Sequence, residues 1–564
     1  MPTLQFKGKN IIWNHHMSIP FHTLDEMPKL DFQGEKGEGN LIIEGDNLLA
    51  LKALLPQYAG KVQVVCVDPP YNTGNEGWVY NDKVNSPLIK DWLGKEVGKD
   101  DLTRHDKWLC MMSPRLRLLR ELLAEQGVIF ISCDDNEFSS LLSLMNELWG
   151  EENRVGIIVW RNVTDNNPTN IAIEHEYIVC YAKQKNQIDA IWKSKVSAAK
   201  EQLIKIGKEL TNKIKKQDDL QAAYSDWFRE NKRFLGQLDR YKYIDHGGIY
   251  TGSQSVHNPG KEGYRYDVLH PSTKKPCRQP LMGYRFPEQT MKDLLGKGKI
   301  LFGEDESKII ELKIYAEEYE DKLPSVIELD GRLGAYDLRE LFPENKKTFD
   351  NPKPIQLLKT ILSYVLNGGD LVLDSFAGSG TTMHAVMDLN KEDNGNRKCI
   401  LVQMTEATEA DPKKNICKDI TRERVKRAIE KYGYNSGFKY LKVGIPIDPE
   451  SMLSGNLPTY KQFAKYVYYL CTGENVQEEK QIDEKTYFVG TFKKEAVYLL
   501  YKQDYDTLTR LALNLPLAEQ ITKEQKGKKC IVYAPACFLE EDYLKEKNIE
   551  YVGIPYNLFK KNGR

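Results

Sequence analysis

The chain is predicted to fold around a doubly wound α/β sheet, on three observations. Two apolar runs, Val62–Val67 and Leu371–Leu373, each end in a turn whose residue types suit a ligand rather than a hairpin. Further strand-like runs near 127–132, 177–182 and 399–404 alternate with helical patterns such as Arg422–Lys431. In open sheets of this kind ligands lie beyond the carboxyl ends of the strands, so turns about 300 residues apart are expected to share one cleft.

The first turn is Asp68-Pro69-Pro70-Tyr71. Successive prolines fix φ and push the preceding residue toward an extended conformation, so the strand stops and two acceptors, the Asp68 carboxylate and the Pro69 carbonyl, are held rigidly. Such a pair can take both N–H groups of an exocyclic amine and localise a lone pair otherwise delocalised into the ring. Tyr71 offers a π-face for a base taken out of its stack. Alone the tetrapeptide also reads as an ordinary turn, and it would arise by chance in roughly one chain in a hundred of this length.

The second turn runs from Asp374 through Phe376, Gly378, Ser379 and Gly380 to Thr381-Thr382, ahead of a helix. Glycines let backbone approach a ligand closely, and the helix start offers free N–H groups to a carboxylate. There is no Gly-Lys-Ser/Thr ending for a triphosphate, and the spacing does not fit a dinucleotide fingerprint.

Together the turns resemble those of the DNA amino-methyltransferases, with Asp-Pro-Pro-Tyr as catalytic motif and Phe-Ala-Gly-Ser-Gly as S-adenosylmethionine loop. The order, catalytic motif first, resembles the β class, whose target-recognition region lies between the two. The likeness extends to Leu41–Leu48, Asp106-Lys107-Trp108, Pro114-Arg115-Leu116, Gly127–Ser132, Asp134–Glu137, Glu174-His175-Glu176-Tyr177, Lys353-Pro354 and Val402–Glu406. It covers about residues 1–185 and 235–445 and is most similar to the modification (Mod) subunits of type III restriction–modification systems.

The resemblance implies a Rossmann-like, S-adenosylmethionine-dependent sheet with circularly permuted motif order, acting on adenine N6 of a flipped base in double-stranded DNA. Asp68, Pro69, Pro70 and Tyr71 are then the catalytic residues. Asp374, Phe376, Gly378, Ser379, Gly380 and Thr381 bind the cofactor, Asp46 and Lys353 help place it, and Glu406 takes the ribose. Adenine is preferred over cytosine N4 because the Asp form of the motif goes mostly with adenine. A cytosine-C5 mechanism needs a Pro-Cys nucleophile, and neither Cys66 nor Cys133, which flank the site strands, follows a proline. No metal is implied.

At 564 residues the chain is too long for one core. No apolar run is long enough to span a membrane, and Met1–Lys7 lacks the apolar stretch of a secretory signal. Ten cysteines without a Cys-x-x-Cys pair argue against structural zinc and for a reducing, cytoplasmic setting.

The net charge of −1 argues at first against a nucleic-acid partner, but Lys193–Lys299 holds 22 Lys or Arg against 12 Asp or Glu, leaving about −11 for the remainder. This basic block opens with a helical pattern, Ile206, Leu210 and Ile214, among Lys205, Lys208, Lys213, Lys215 and Lys216. It continues into Tyr241-Lys242-Tyr243, Gly247–Tyr250 and Tyr264-Arg265-Tyr266, which suit phosphate and base contacts and equally suit a small antiparallel sheet. DNA binding is expected over residues 193–300 without individual base readers.

The expected division is 1–190 and 346–445 for the methyltransferase core, 191–345 for the inserted recognition region, and 446–564 for a small α/β assembly module. That module is read as strands at 487–489, 497–501, 529–533 and 549–553, with helices at 504–520 and 539–547. The resemblance implies a homodimer and a restriction (helicase–nuclease) subunit; the chain itself shows no Walker or nuclease motif. A solitary or phage-defence enzyme, on adenine or cytosine N4, is the alternative. Protein or RNA substrates are disfavoured, because those relatives usually carry Asn at the first position and put the Gly-rich loop first. A binding-only protein is disfavoured because the proposed catalytic residues are all present.

Overall fold

The computed structural model describes residues 3–33, 39–73, 101, 103–162, 170–194, 198–232, 235–258, 260–319, 321–345, 348–407 and 411–555. Every site residue expected above falls within these; Lys195 and Arg233 of the basic block lie outside them. The chain divides into two compact units, residues 1–190 with 324–564, and residues 191–323.

The first unit is built on a ten-stranded sheet. Its strands are β1 (Phe21–Glu26), β2 (Leu41–Glu44), β3 (Val62–Val67), β4 (Leu123–Cys133), β5 (Arg154–Arg161), β6 (His175–Ala182), β7 (Val326–Glu328), β8 (Leu371–Asp374), β9 (Lys398–Gln403) and β10 (Lys439–Ile447). They lie side by side as β1-β10-β2-β9-β8-β3-β4-β6-β5-β7. The six from β10 to β4 are mutually parallel, β6 runs antiparallel to both its neighbours, and β1 is antiparallel to β10. Parallel strands covered on both faces read as continuous apolar runs, which is why β3 keeps every residue but Gln63 buried.

From β3 the chain passes outward to β4, and from β8 it passes the other way to β9. The sheet therefore reverses its winding between β3 and β8, where Val372 faces Val64 and Asp374 faces Cys66. Such a switch point opens a crevice at the carboxyl ends, because the two crossover connections diverge there.

The return to the first unit comes at Pro324, about twenty residues earlier than the pattern suggested. β7 pairs parallel with β5, placing Val326 opposite Val159, but three residues are too short a run to betray a strand by periodicity. Residues beyond 446 carry their own sheet, β11 (Phe488–Phe492), β12 (Glu495–Leu499), β13 (Lys529–Ala534) and β14 (Ile549–Gly553), adjacent in that order. They are nonetheless part of the first unit. Helix Tyr460–Thr472 shares a buried core with Leu51, Leu54 and Phe21, and Tyr466 packs 4.6 Å from the Phe21 ring. The single helix expected over 504–520 is two, Tyr505–Leu508 and Leu515–Glu524, split by a short strand at Ala512–Leu513. Asn514 caps the second helix through Leu517 N, and Pro516 sits in its first turn, so the pattern restarts there.

The second unit holds a four-stranded antiparallel sheet in the order Ile300–Leu301, Glu311–Tyr315, Gly248–Ser255, Tyr243–Asp245. Helices Ala198–Lys213 and Gln217–Asn231 share its core, where Leu203, Tyr224, Tyr241 and Ile249 are buried. The aromatic run is thus divided: Tyr241 and Tyr250 are core, whereas Tyr243 and Tyr264 are half exposed. Among the described residues no helix is long and apolar enough to cross a membrane.

Candidate active site

The Asp68–Tyr71 turn leaves β3 at the crevice. Pro70 is anchored by the buried indole of Trp108, which donates to its carbonyl at 2.7 Å. The turn ends at Asn72, whose left-handed φ of 60° lets its amide donate to the buried Glu137 carboxylate at 2.5 Å. Tyr71 OH lies 2.9 Å from Asp68 Oδ1 and 2.8 Å from Glu176 Oε2. Burial and these two carboxylates push the phenol well above its ordinary value, so it stays a donor.

Lys353 completes the cluster. Its Nζ donates to Tyr71 OH at 2.7 Å and to Glu176 Oε2 at 3.0 Å, and lies 3.1 Å from Asp68 Oδ1. Burial would depress this ammonium, but the Asp68 and Glu176 carboxylates outweigh it and hold the lysine above its ordinary value. Asp68 Oδ2 and the Pro69 carbonyl accept from nothing among the described residues.

Lys353 also lines the cavity it shares with the Gly-rich turn. Its carbonyl meets the Gly-rich turn, accepting from Thr381 Oγ1 at 3.2 Å, while its ammonium turns to the catalytic motif. Glu176 is not among the site residues expected from the sequence. Because β6 runs antiparallel to β4, its first residues arrive at the carboxyl end of the parallel strands, with Tyr177 opposite Cys133. Asn162, just beyond β5, holds the other oxygen of Glu176 at 2.6 Å.

The Gly-rich turn lies across the crevice, and one cavity is lined by Asp68, Lys353, Asp374, Phe376, Gly378 and Ser379 among others. Asp374 shapes the turn, accepting from Phe376 N at 3.0 Å and Thr382 Oγ1 at 2.5 Å. Burial raises its carboxyl to about 7, with the Asp68 charge adding to the effect. Gly378 and Gly380 hold φ of 50° and 82°, a region costly for side-chain-bearing residues. A Cβ on Gly378 would also come within 3.1 Å of the Phe349 ring. Among the described residues no backbone carbonyl accepts from the N–H groups of Thr381 or Thr382, which open helix Thr381–Asp393.

Two expected cofactor residues have other partners. Asp46 caps helix Asn47–Tyr58, its Oδ1 accepting from Leu48 N at 2.9 Å and Leu49 N at 3.2 Å, while its Oδ2 lies 3.5 Å from Arg115. Glu406 has a left-handed φ of 56°; its carboxylate meets Gln403 Nε2 at 2.9 Å and Lys414 at 3.3 Å. Neither Asp46 nor Glu406 lines the cavity.

The strand-end acid beside β9 is Glu44, buried and held below its usual range because Asn415, Tyr440 and Lys442 overcome the effect of burial. Gln403 ends β9 and accepts from Gly378 N at 2.7 Å, tying strand to turn. Arg424, fully buried, donates from Nη1 to Ser379 Oγ and Thr381 Oγ1, both at 2.6 Å. None of Glu44, Gln403 and Arg424 stood out in the sequence, because each acts across a strand order that local patterning does not encode.

Comparison with known proteins gives a DNA methylase family model matching residues 62–431. The Mod subunit of the type III restriction-modification enzyme EcoP15I of Escherichia coli is 49% identical over 442 residues, covering 75% of this chain and 68% of that protein. The StyLTI Mod subunit of Salmonella typhimurium is 32% identical over 444 residues, covering 73% and 61%. A DNA modification methylase of Thermus thermophilus, solved in complex with S-adenosyl-L-methionine, aligns over 71% of this chain and 99% of its own at 13% identity, with a TM-score of 0.29. The chain thus spans about two thirds of the length of these curated relatives.

Proposed function

Because the chain belongs to the N6/N4 family of DNA methylases, we propose that it methylates adenine N6 in double-stranded DNA as the modification subunit of a type III restriction–modification system. The single observation that carries the chemistry is the acceptor pair, Asp68 Oδ2 and the Pro69 carbonyl, which has no donor among the described residues and whose Asp68 lines the cavity shared with the Gly-rich turn. These acceptors bind the two N–H groups of the amine and draw its lone pair out of conjugation. Tyr71 stacks on the flipped base.

S-adenosylmethionine, when bound, supplies an electrophilic methyl group on a sulfonium centre. The left-handed glycines and the free N–H groups of Thr381 and Thr382 fit its amino-acid end. Phe376 lines its pocket. The amine sheds one proton on methylation, and Asp68 is the acceptor within reach. Alignment and electrostatic polarisation supply most of the rate.

Base flipping brings the adenine out of the duplex, and phosphate contacts fall to the basic second unit. A restriction subunit with helicase and nuclease activities, a second copy of the chain and a cytoplasmic setting complete the reading. Support comes from the Mod relatives and from the Asp at the first motif position.

The test is single-molecule sequencing of DNA from a methylation-free host expressing the wild-type chain or Asp68→Ala. The expected result is a methyl-adenine mark at one short asymmetric motif that vanishes in the variant. A cytosine mark would overturn the choice of base, and a mark that survives Asp68→Ala would overturn the role of the turn.

A further inference from the structure

We propose that Lys353 and Glu176 are positioning residues that balance the charge of the amine-binding turn and keep the open oxygen of Asp68 an acceptor. This rests on the methyltransferase reading above. Lys353 has three N–H donors, and three acceptors surround it: Tyr71 OH, Glu176 Oε2 and Asp68 Oδ1. Its ammonium also lies 4.9 Å from the Tyr71 ring and 5.4 Å from that of Trp160, both of which favour a cation. Its side chain is only 12% exposed, so water cannot stand in for these partners.

The cluster holds two carboxylates and one ammonium, a net charge of −1. Among the described residues the other titratable groups facing it are acids: Asp374 from β8, Cys133 and Asp134 from the end of β4, and Tyr71 itself. His175, next to Glu176, is turned to Tyr177 OH at 2.9 Å. Lys353 is thus the positive charge that offsets one carboxylate among these groups.

Without it, Asp68 and Glu176 would share one hydroxyl with no cation between them. Two like charges in one site cannot both stay ionised, and one carboxyl takes up a proton. Whenever that proton sits on Asp68, it presents an O–H where the amine needs an acceptor. Removing Glu176 as well restores the original net charge, and Asp68 ionises again.

The test uses the full chain as Lys353→Met, Glu176→Gln, the double variant and Lys353→Arg. Methyl transfer to unmethylated plasmid DNA is followed between about pH 6 and about pH 9. Lys353→Met should lose about 100-fold in transfer near neutral pH and recover as pH rises through the raised carboxyl pKa. The double variant should regain about tenfold over Lys353→Met, the equivalent of one pKa unit, and lose that rising limb. Affinity for S-adenosylmethionine, by calorimetry, should stay within about threefold throughout, less than 1 kcal/mol.

Infrared difference spectra against wild type, which cancel the band of Asp374, should show an added protonated-carboxyl band at neutral pH in Lys353→Met alone. A double variant as poor as Lys353→Met, or no such band, overturns the proposal; lost cofactor binding would return Lys353 to a cofactor role. If Lys353→Met does not fold, Lys353→Arg and Glu176→Gln carry the test, and a rising limb in either overturns it. A wild-type chain that methylates no DNA refutes the methyltransferase reading instead, while the infrared band still judges the charge argument.

Discussion

Gly334→Ala sets two effects of opposite sign against each other at a position that controls Lys353. Gly334 is buried in helix Arg332–Leu341, against the backbone of Pro352 and Lys353. An added Cβ would sit 1.8 Å from the Pro352 carbonyl oxygen and 2.9 Å from the Lys353 carbonyl carbon. Carbon–oxygen contacts normally begin near 3.3 Å, so the backbone must move by about 1.5 Å. Helix propensity favours alanine by about 1 kcal/mol. Overpacking costs about 1–3 kcal/mol, toward the upper end when backbone rather than a flexible side chain must give. The clash wins, and a net loss of about 1–2 kcal/mol is expected.

The functional loss should be larger than that. The ammonium of Lys353 is held within 3.1 Å of Asp68 and 3.0 Å of Glu176, and a misplacement of about 1 Å in a preorganised site costs on the order of 100-fold. Thermal melts and methyl transfer to unmethylated plasmid should show a lowered midpoint and a fall in kcat exceeding any change in the KM for S-adenosylmethionine. Gly296→Ala, at the end of helix Glu288–Gly296 with nothing within 4 Å of its Cβ, is the control and should be neutral. A Gly334→Ala protein as stable and as active as wild type would refute the reasoning.

Two further outcomes follow from the same site. Asp374 is raised from 3.8 to about 7 in the folded chain, chiefly by burial. Across that window the folded state holds a proton the unfolded state lacks, so this group's contribution to stability falls as pH rises and is level above about 7. Urea melts at about pH 5 and about pH 8 should show a smaller change for Asp374→Asn than for wild type, and equal changes would contradict it. Tyr71→Phe keeps the ring but removes the hydroxyl shared by Asp68 and Glu176; kcat should fall about tenfold, and about 100-fold for Tyr71→Ala, with cofactor affinity unchanged in both. Equal losses for Phe and Ala would remove the ring from the account.

The two turns were legible because their signals are local. An apolar run halted by two prolines, and another by a glycine-rich stretch, announce strand ends in a dozen residues, and backbone sterics enforce them in any context. Asp46 shows where that logic stops: its place before Asn47-Leu48-Leu49 suits a helix cap as well as a ligand, and the structure uses it for the cap. The helix expected over 504–520 failed for a local reason as well, since Asn514 and Pro516 restart it and apolar spacing alone does not register that.

The sequence by itself determined the fold class, the two chemical turns, the basic insertion and, through its motifs, the DNA methylase family. Only the tertiary structure decided that Lys353 points its ammonium at Asp68, that Glu176 joins them, and that residue 324 rather than 346 reopens the first unit. Those facts depend on strand order and on the antiparallel entry of β6. Packing free energy summed over the whole sheet selects that order, and no window of neighbouring residues contains it.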